Sequence, residues 1–314
     1  MMKKTTGIHH ITAIVGNPQE NVDFYAGVLG LRLVKKTVNF DDPGTYHLYF
    51  GNEQGSPGTI ITFFPWPDAY QGRIGSGQVG VTTYVVPVGS LAFWEERLNK
   101  FQIEFTKYTR FGETYLEFDD PHGLHLEIVE REEGQDSEWS FGGVPAQHAI
   151  KGFGGAVLLS ANPLETMKVL TEVMGLERIG EEDDFVRFRA AGDMGNIIDV
   201  KKTAIPGRMG VGTVHHIAWR ADDYEDHEAW REHVSQHGQQ VTPIIDRQYF
   251  NAIYFREPGA ILFEIATDPP GFLHNEPFEQ LGEKLLLPPW LEPKRAELES
   301  ILLPAEVRVL EVDK

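Results

Sequence analysis

Polar and apolar positions along this chain recur as a whole unit, not only as isolated strands and helices. Residues 7–31 read GIHHITAIVGNPQENVDFYAGVLGL and residues 152–176 read GFGGAVLLSANPLETMKVLTEVMGL, and the two align without a gap. Each opens with a β-rich apolar run. Asn17 or Asn162 then stands at an N-cap position, with Pro18 or Pro163 at the first helical position. Glu20 or Glu165 follows at the third, which predicts a capping box. Val22, Tyr25, Val28 and Leu29 continue the first copy at helical spacing. Gly30 or Gly175 ends the helix where a left-handed residue is wanted.

Two further units share the plan. Residues 80–130 open with GVTTYVVP, pass through a helix near Leu91–Lys100 and end in YLEFDDPHGLHLEIVE. Residues 212–268 open with GTVHHIAWRAD, pass through a helix near Asp226–His237 and end in AIYFREPGAILFEIATD. Phe118, Pro121 and Glu127 in the first ending correspond to Phe255, Pro258 and Glu264 in the second.

The pattern predicts an α+β fold of four βαβββ modules in two tandem domains, with curved sheets enclosing a cup. The first domain spans residues 7–145 (modules 7–65 and 78–131). The second spans 150–268 (modules 152–202 and 212–268). Residues 269–314 form a C-terminal extension with a short helix from Glu292 to Leu302. It either caps the cup or mediates contacts in a homo-oligomer.

Charge and composition narrow the partners. The 314-residue chain has 28 basic and 47 acidic residues, a net charge of −19, which argues against nucleic acid or an anionic membrane. It has no cysteine, which excludes disulfides, iron–sulfur clusters and thiol nucleophiles. No run is long and apolar enough for a membrane helix, and the residues before His9 have no secretory h-region. A soluble, cytoplasmic protein is expected.

Twelve histidines are spread along the chain, but only His9-His10 and His215-His216 recur as pairs at the same place in a module. In a regular strand adjacent side chains face opposite ways, so one member of each pair is expected to face the cup. His9 shares its parity with Ile11, Ala13 and Val15, and His215 with Ile217, Trp219 and Ala221, so both are expected to turn toward the helices. That leaves His10 and His216 for the cup.

Glu127 and Glu264 sit at equivalent points of apolar strands, where an unpaired charge is expensive. The third module has Gly154-Gly155 where the first has histidines, although Asp199 lies near its end. One combination therefore gives two histidines and a carboxylate: His10, His216 and Glu264. That set is the facial triad of non-haem iron(II) enzymes and also suits manganese(II). Glu127 is read as structural or relict, and His122 and His125 as solvated loop residues.

The stretches GIHHITAIVGNPQENVDFYAGVLGLRLVKKTVNFDDPGTYHLYFG, RFGETYLEFDDPHGLHLEIVE, GTVHHIAWR and DRQYFNAIYFREPGAILFEIATDPPGF carry a resemblance across nearly the whole chain. It resembles the ring-cleaving dioxygenases of the vicinal oxygen chelate superfamily (glyoxalase/extradiol dioxygenase). The likeness is to the hydroquinone branch, and within it to the bacillar methylhydroquinone-resistance dioxygenases.

The resemblance implies an Fe(2+)-dependent enzyme that opens hydroquinone-type 1,4-diols with dioxygen, with His10, His216 and Glu264 as ligands. It also points to Tyr254 beside the substrate. Arg247 either steers the second substrate oxygen or makes a strand-edge salt bridge. His9 and His215 either support the ligands from behind or are packed structural groups. Two alternatives stay open: a glyoxalase-like isomerase or thiol transferase using nickel, zinc or manganese, and a non-catalytic binder of aromatic drugs.

Overall fold

Four copies of a strand–helix–strand–strand–strand unit occupy most of the computed structural model, which describes residues 3–202 and 205–314. The first comprises β1 (Ile8–Val15), α1 (Pro18–Val22), β2 (Arg32–Val38), β3 (Tyr46–Gly51) and β4 (Ile60–Pro65). The second comprises β5 (Gln78–Val86), α2 (Leu91–Lys100), β6 (Phe105–Arg110), β7 (Glu113–Asp119) and β8 (His125–Glu130). The third comprises β9 (Gly152–Ser160), α3 (Pro163–Lys168), β10 (Glu177–Glu182), β11 (Phe185–Arg189) and β12 (Ile197–Lys202). The fourth comprises β13 (Thr213–Ala221), α4 (Tyr224–Gln236), β14 (Ile245–Asp246), β15 (Phe250–Arg256) and β16 (Leu262–Pro270).

The helix signals hold unevenly. Asn17 Oδ1 accepts the backbone N–H groups of Gln19 and Glu20 at 2.8 and 3.2 Å, as an N-cap should. Asn162 does not cap. Its own N–H donates to Ser160 Oγ at 3.0 Å, a local turn that competes with the cap conformation. Both helices widen into π turns, over Asp23–Val28 and Val169–Val173, and end at Gly30 and Gly175 with φ of 70° and 74°.

The modules pair by position, not in chain order. One eight-stranded sheet runs β14-β15-β16-β13-β1-β4-β3-β2 and so joins the fourth module to the first. The other runs β10-β11-β12-β9-β5-β8-β7-β6 and joins the third to the second. A single apolar core threads both sheets and the helices, anchored by Trp94, Trp219 and Trp230, each at most 1% exposed. After β16 the chain crosses back over the first module. Leu287, Leu291 and Leu298 pack on Val38, and Lys35 Nζ meets Glu276 Oε2 at 2.6 Å. The helical stretch expected from Glu292 is present as a short turn followed by α5 (Arg295–Ile301). No helix of the described residues is long and apolar enough to cross a membrane.

The central pair β1 and β13 is antiparallel and irregular at two points. Ile8 pairs with Trp219 but His10 with Ala218, which leaves His9 extra. Thr12 pairs with His216 but Ala13 with Val214, which leaves His215 extra. Each is the additional residue of a β-bulge. The second sheet repeats the bulges at Gly80 and Gly154 between β5 and β9.

Strict alternation therefore fails where it was applied to the histidine pairs. His9 and His215 do not turn away to the helix side. His215 lines the same cavity as His216, and His9 packs with His10 against Phe250, at ring-centroid distances of 5.4 and 4.8 Å.

Candidate metal centre

Three strands bring three donors to one point. His10 comes from β1, His216 from its neighbour β13, and Glu264 from β16 on the far side of β13, where it pairs with Ala218. His10 Nε2 and His216 Nε2 lie 3.3 Å apart. Glu264 Oε2 lies 2.9 Å from His216 Nε2 and 3.4 Å from His10 Nε2. Among the described residues this is the one cluster of its kind.

Glu264 is fully buried, and neither carboxylate oxygen receives a well-aligned hydrogen bond. Burial alone raises its pKa, but the adjacent His10 and His216 outweigh that and hold it well below the usual carboxylate range. A buried carboxylate without aligned donors is costly, and a cation between it and two imidazoles would relieve the cost. The donor set fits a divalent metal.

The outer histidine of each pair touches the inner one through matching atoms. His9 Nδ1 lies 2.9 Å from His10 Nδ1, and His215 Nδ1 lies 2.8 Å from His216 Nδ1. Burial, and then the neighbouring imidazole, pushes His9 well below its ordinary pKa and His215 down to about 3. Both outer rings are therefore neutral and able to accept. Such a contact leaves the proton on Nδ1 of the inner ring and its Nε2 lone pair free.

The cavity beside the triangle measures about 390 Å³ and is walled by Phe40, Phe64, Trp66 and Phe250 as well as by polar groups. Tyr254 pairs directly with Glu264 across β15 and β16. Its hydroxyl accepts from Arg247 Nε at 3.3 Å and is pushed up by burial and then by Glu264, so it keeps its proton. Arg247 also reaches Asp41 Oδ2 at 3.0 Å, so its salt bridge and its place on the cavity wall coexist.

Sequence reasoning missed His47 and Tyr49, which line the same cavity from β3. The signal was available, because in TYHLYFG their parity alternates with Leu48 and Phe50, both fully buried in the core. His122 departs from the expected solvated loop: it is 7% exposed, and its Nδ1 accepts from Gly16 N–H at 3.3 Å. His125 stays on the surface beside Asp119. A larger open groove, about 1090 Å³, runs along the segment from the end of α2 into β6 and the end of β7, facing Phe24 and Val28, away from any converging donor set among the described residues.

The second sheet carries the counterpart of this site with different chemistry. Glu127 is chelated by Arg110 through two bonds of 3.0 Å and receives Thr83 Oγ1 at 2.7 Å. Asp199 lies 2.8 Å from Arg110 Nε and accepts from Arg187 Nε, also at 2.8 Å. Guanidinium groups thus supply the positive charge there, which agrees with the reading of Glu127 as structural or relict.

The chain matches the family model described as Glyoxalase/Bleomycin resistance protein/Dioxygenase superfamily over residues 7–128 and 153–273. It is 69% identical over 312 residues to MhqO of Bacillus subtilis (strain 168), named as a ring-cleaving dioxygenase, covering 99% of this chain and 100% of that one. It is 36% identical over 309 residues to a chlorohydroquinone/hydroquinone 1,2-dioxygenase of Sphingobium indicum, covering 94% and 95%. A crystal structure of a protein from Bacillus subtilis subsp. subtilis str. 168, described as a dioxygenase, superposes with a TM-score of 0.97 at 68% identity, covering 98% and 100%.

Proposed function

The chain belongs to the glyoxalase/bleomycin resistance protein/dioxygenase superfamily, and from that premise we propose that it is an iron(II)-dependent dioxygenase that opens the ring of hydroquinone-type 1,4-diols. His10, His216 and Glu264 are the metal ligands in this reading. The observation that carries it is their convergence around a fully buried carboxylate that has no aligned hydrogen-bond donor. Three protein ligands leave coordination positions for substrate and dioxygen, whereas glyoxalase-type chemistry usually adds a fourth. Manganese(II) is the alternative ion, since the same donors suit it.

When bound, the metal lowers the pKa of a substrate hydroxyl and provides the path by which ring electrons reach dioxygen. The chain's own residues do the rest. His9 and His215 hold the ligand imidazoles in one tautomer. Phe64, Trp66 and Phe250 give the ring an apolar slot and exclude water. Tyr254 presents a protonated hydroxyl next to Glu264, and Arg247 orients that hydroxyl and adds a fixed positive charge.

The test is anaerobic loading with iron(II) or manganese(II), followed by oxygen uptake with hydroquinone, methylhydroquinone and catechol. Uptake with the 1,4-diols and iron is expected. No uptake with any diol sinks the dioxygenase reading, and uptake with catechol alone moves it to the 1,2-diol branch.

A further inference from the structure

Tyr49 and His47 stand on the first-module wall of the cavity, and neither the ligand set nor the Tyr254–Arg247 pair gives them a task. Thr12, Thr62 and Tyr49 are register partners across β1, β4 and β3, so they share one row on the sheet. Two strand spacings, about 10 Å, separate the backbone of Tyr49 from that of the strand carrying His10. A chain of hydrogen bonds, buried at its Thr12 end and partly buried at His47, fixes the row. Thr12 Oγ1 meets Thr62 Oγ1, Thr62 Oγ1 meets His47 Nε2, and His47 Nδ1 meets the Tyr49 hydroxyl, each at 2.8 Å. The Tyr49 ring packs at a tilt against His47, 4.0 Å between centroids, and Phe64 packs on the same imidazole at 4.5 Å.

The hydrogen-bonding capacity of Tyr49 is only partly used. A tyrosine hydroxyl has one hydrogen and two lone pairs. Its partner among the described residues is His47 alone. Whichever nitrogen of His47 carries the proton, at least one lone pair on Tyr49 has no donor. Burial pushes the Tyr49 hydroxyl well up, so it remains a neutral phenol. Arg247, on the fourth-module wall, has only donors to offer. A ring hydroxyl placed between these walls needs both kinds of partner, because it accepts through oxygen and donates through hydrogen.

We propose that Tyr49 accepts the hydrogen bond of the substrate hydroxyl that does not reach the metal, which makes it a specificity residue for a free 1,4-diol over its mono-ether. His47 is a positioning residue that holds the Tyr49 hydroxyl in place. The proposal rests on the aromatic-diol reading above. A site built to pair with a hydroxyl penalises an analogue lacking that hydrogen, because a buried polar group then goes unmatched.

The test uses iron(II)-loaded protein without oxygen, titrated with hydroquinone and with 4-methoxyphenol, which keeps one hydroxyl for the metal but has no distal donor. The native protein is expected to favour hydroquinone by about 10-fold or more. Tyr49→Phe should bring the ratio close to one at unchanged iron content and melting temperature. His47→Leu should do the same, and His47→Gln, which still offers Tyr49 a partner, should restore part of the preference. A ratio equal in native protein and Tyr49→Phe, or a native ratio near one, overturns the proposal. Oxygen uptake is read separately. Loss of uptake with every diol removes the dioxygenase reading and leaves the binding ratio to be judged on its own.

Discussion

Glu264 and Glu127 occupy equivalent positions in the two sheets and have opposite surroundings. Glu264 is buried without an aligned donor, whereas Glu127 is held bidentately by Arg110. Glu127 is completed by a side chain of the protein, and in the proposed reading Glu264 is completed by a cation from solution.

This contrast sets the first prediction. Glu264→Gln should abolish stoichiometric metal binding while the metal-free protein still folds, because the amide oxygen keeps an acceptor beside His10 and His216 but the anion that a cation needs is gone. Glu127→Gln should leave metal content intact and cost about 2 kcal/mol of stability, since it weakens both bonds from Arg110, which keeps Asp199 as its remaining anion. Metal analysis and thermal melting, each with and without chelator, decide both. Native metal content in Glu264→Gln, or loss of metal in Glu127→Gln, contradicts the account.

Chelation itself is expected to lower the melting temperature of the loaded native protein, because a ligand bound only by the folded state adds to its stability. The shift should grow with metal concentration and vanish in His10→Ala and His216→Ala. A melting curve that ignores added iron(II) and manganese(II) argues against a resident metal.

His9 and His215 are expected to act through the ligands they touch. Leucine at either position should weaken metal affinity by about 10- to 100-fold without eliminating binding. Competition with a chelator of known affinity reads this directly. Unaltered affinity in both variants reduces the two residues to packing.

Tyr254→Phe should slow turnover while metal content stays at the native level, because the hydroxyl beside Glu264 is removed and the ligand set is not. Asp41→Ala frees Arg247 from its outer partner and should change KM more than kcat. Steady-state kinetics on metal-quantified protein test both, and native kinetics in Tyr254→Phe take that residue out of the reaction.

Acid stability offers a check away from the metal. Glu113 bonds Arg131 and Arg187. Burial opposes its ionisation, but these cations win and lower its pKa from 4.5 to about 2. Its contribution is therefore full above pH 4.5 and fades as pH falls toward 2. The ceiling is about 3 kcal/mol, less after screening because 26% of the side chain meets solvent. Glu113→Gln should be destabilised at pH 7, and the gap should shrink by pH 3. A gap independent of pH assigns the effect to shape and not charge.

The residues alone determined a good deal. Repeated N-cap, proline and glycine signals are local, set by backbone chemistry within a few residues, and they marked the first and third modules, while the matching endings around Glu127 and Glu264 marked the second and fourth. Recurrence of His-His and of Glu127 with Glu264 in those modules singled out His10, His216 and Glu264, because only recurrence separates a ligand from a core histidine. What sequence could not decide depends on pairing between distant strands. The bulges at His9 and His215 arise from the register of β1 against β13, so period-two reasoning sent both side chains to the wrong face. The Arg110 cluster on Glu127 joins strands from two modules, and the row from Thr12 to Tyr49 exists because β1, β4 and β3 lie side by side. Local rules name the candidate ligands; only closure of the first module on the fourth puts them around one point and gives the cavity its second polar wall.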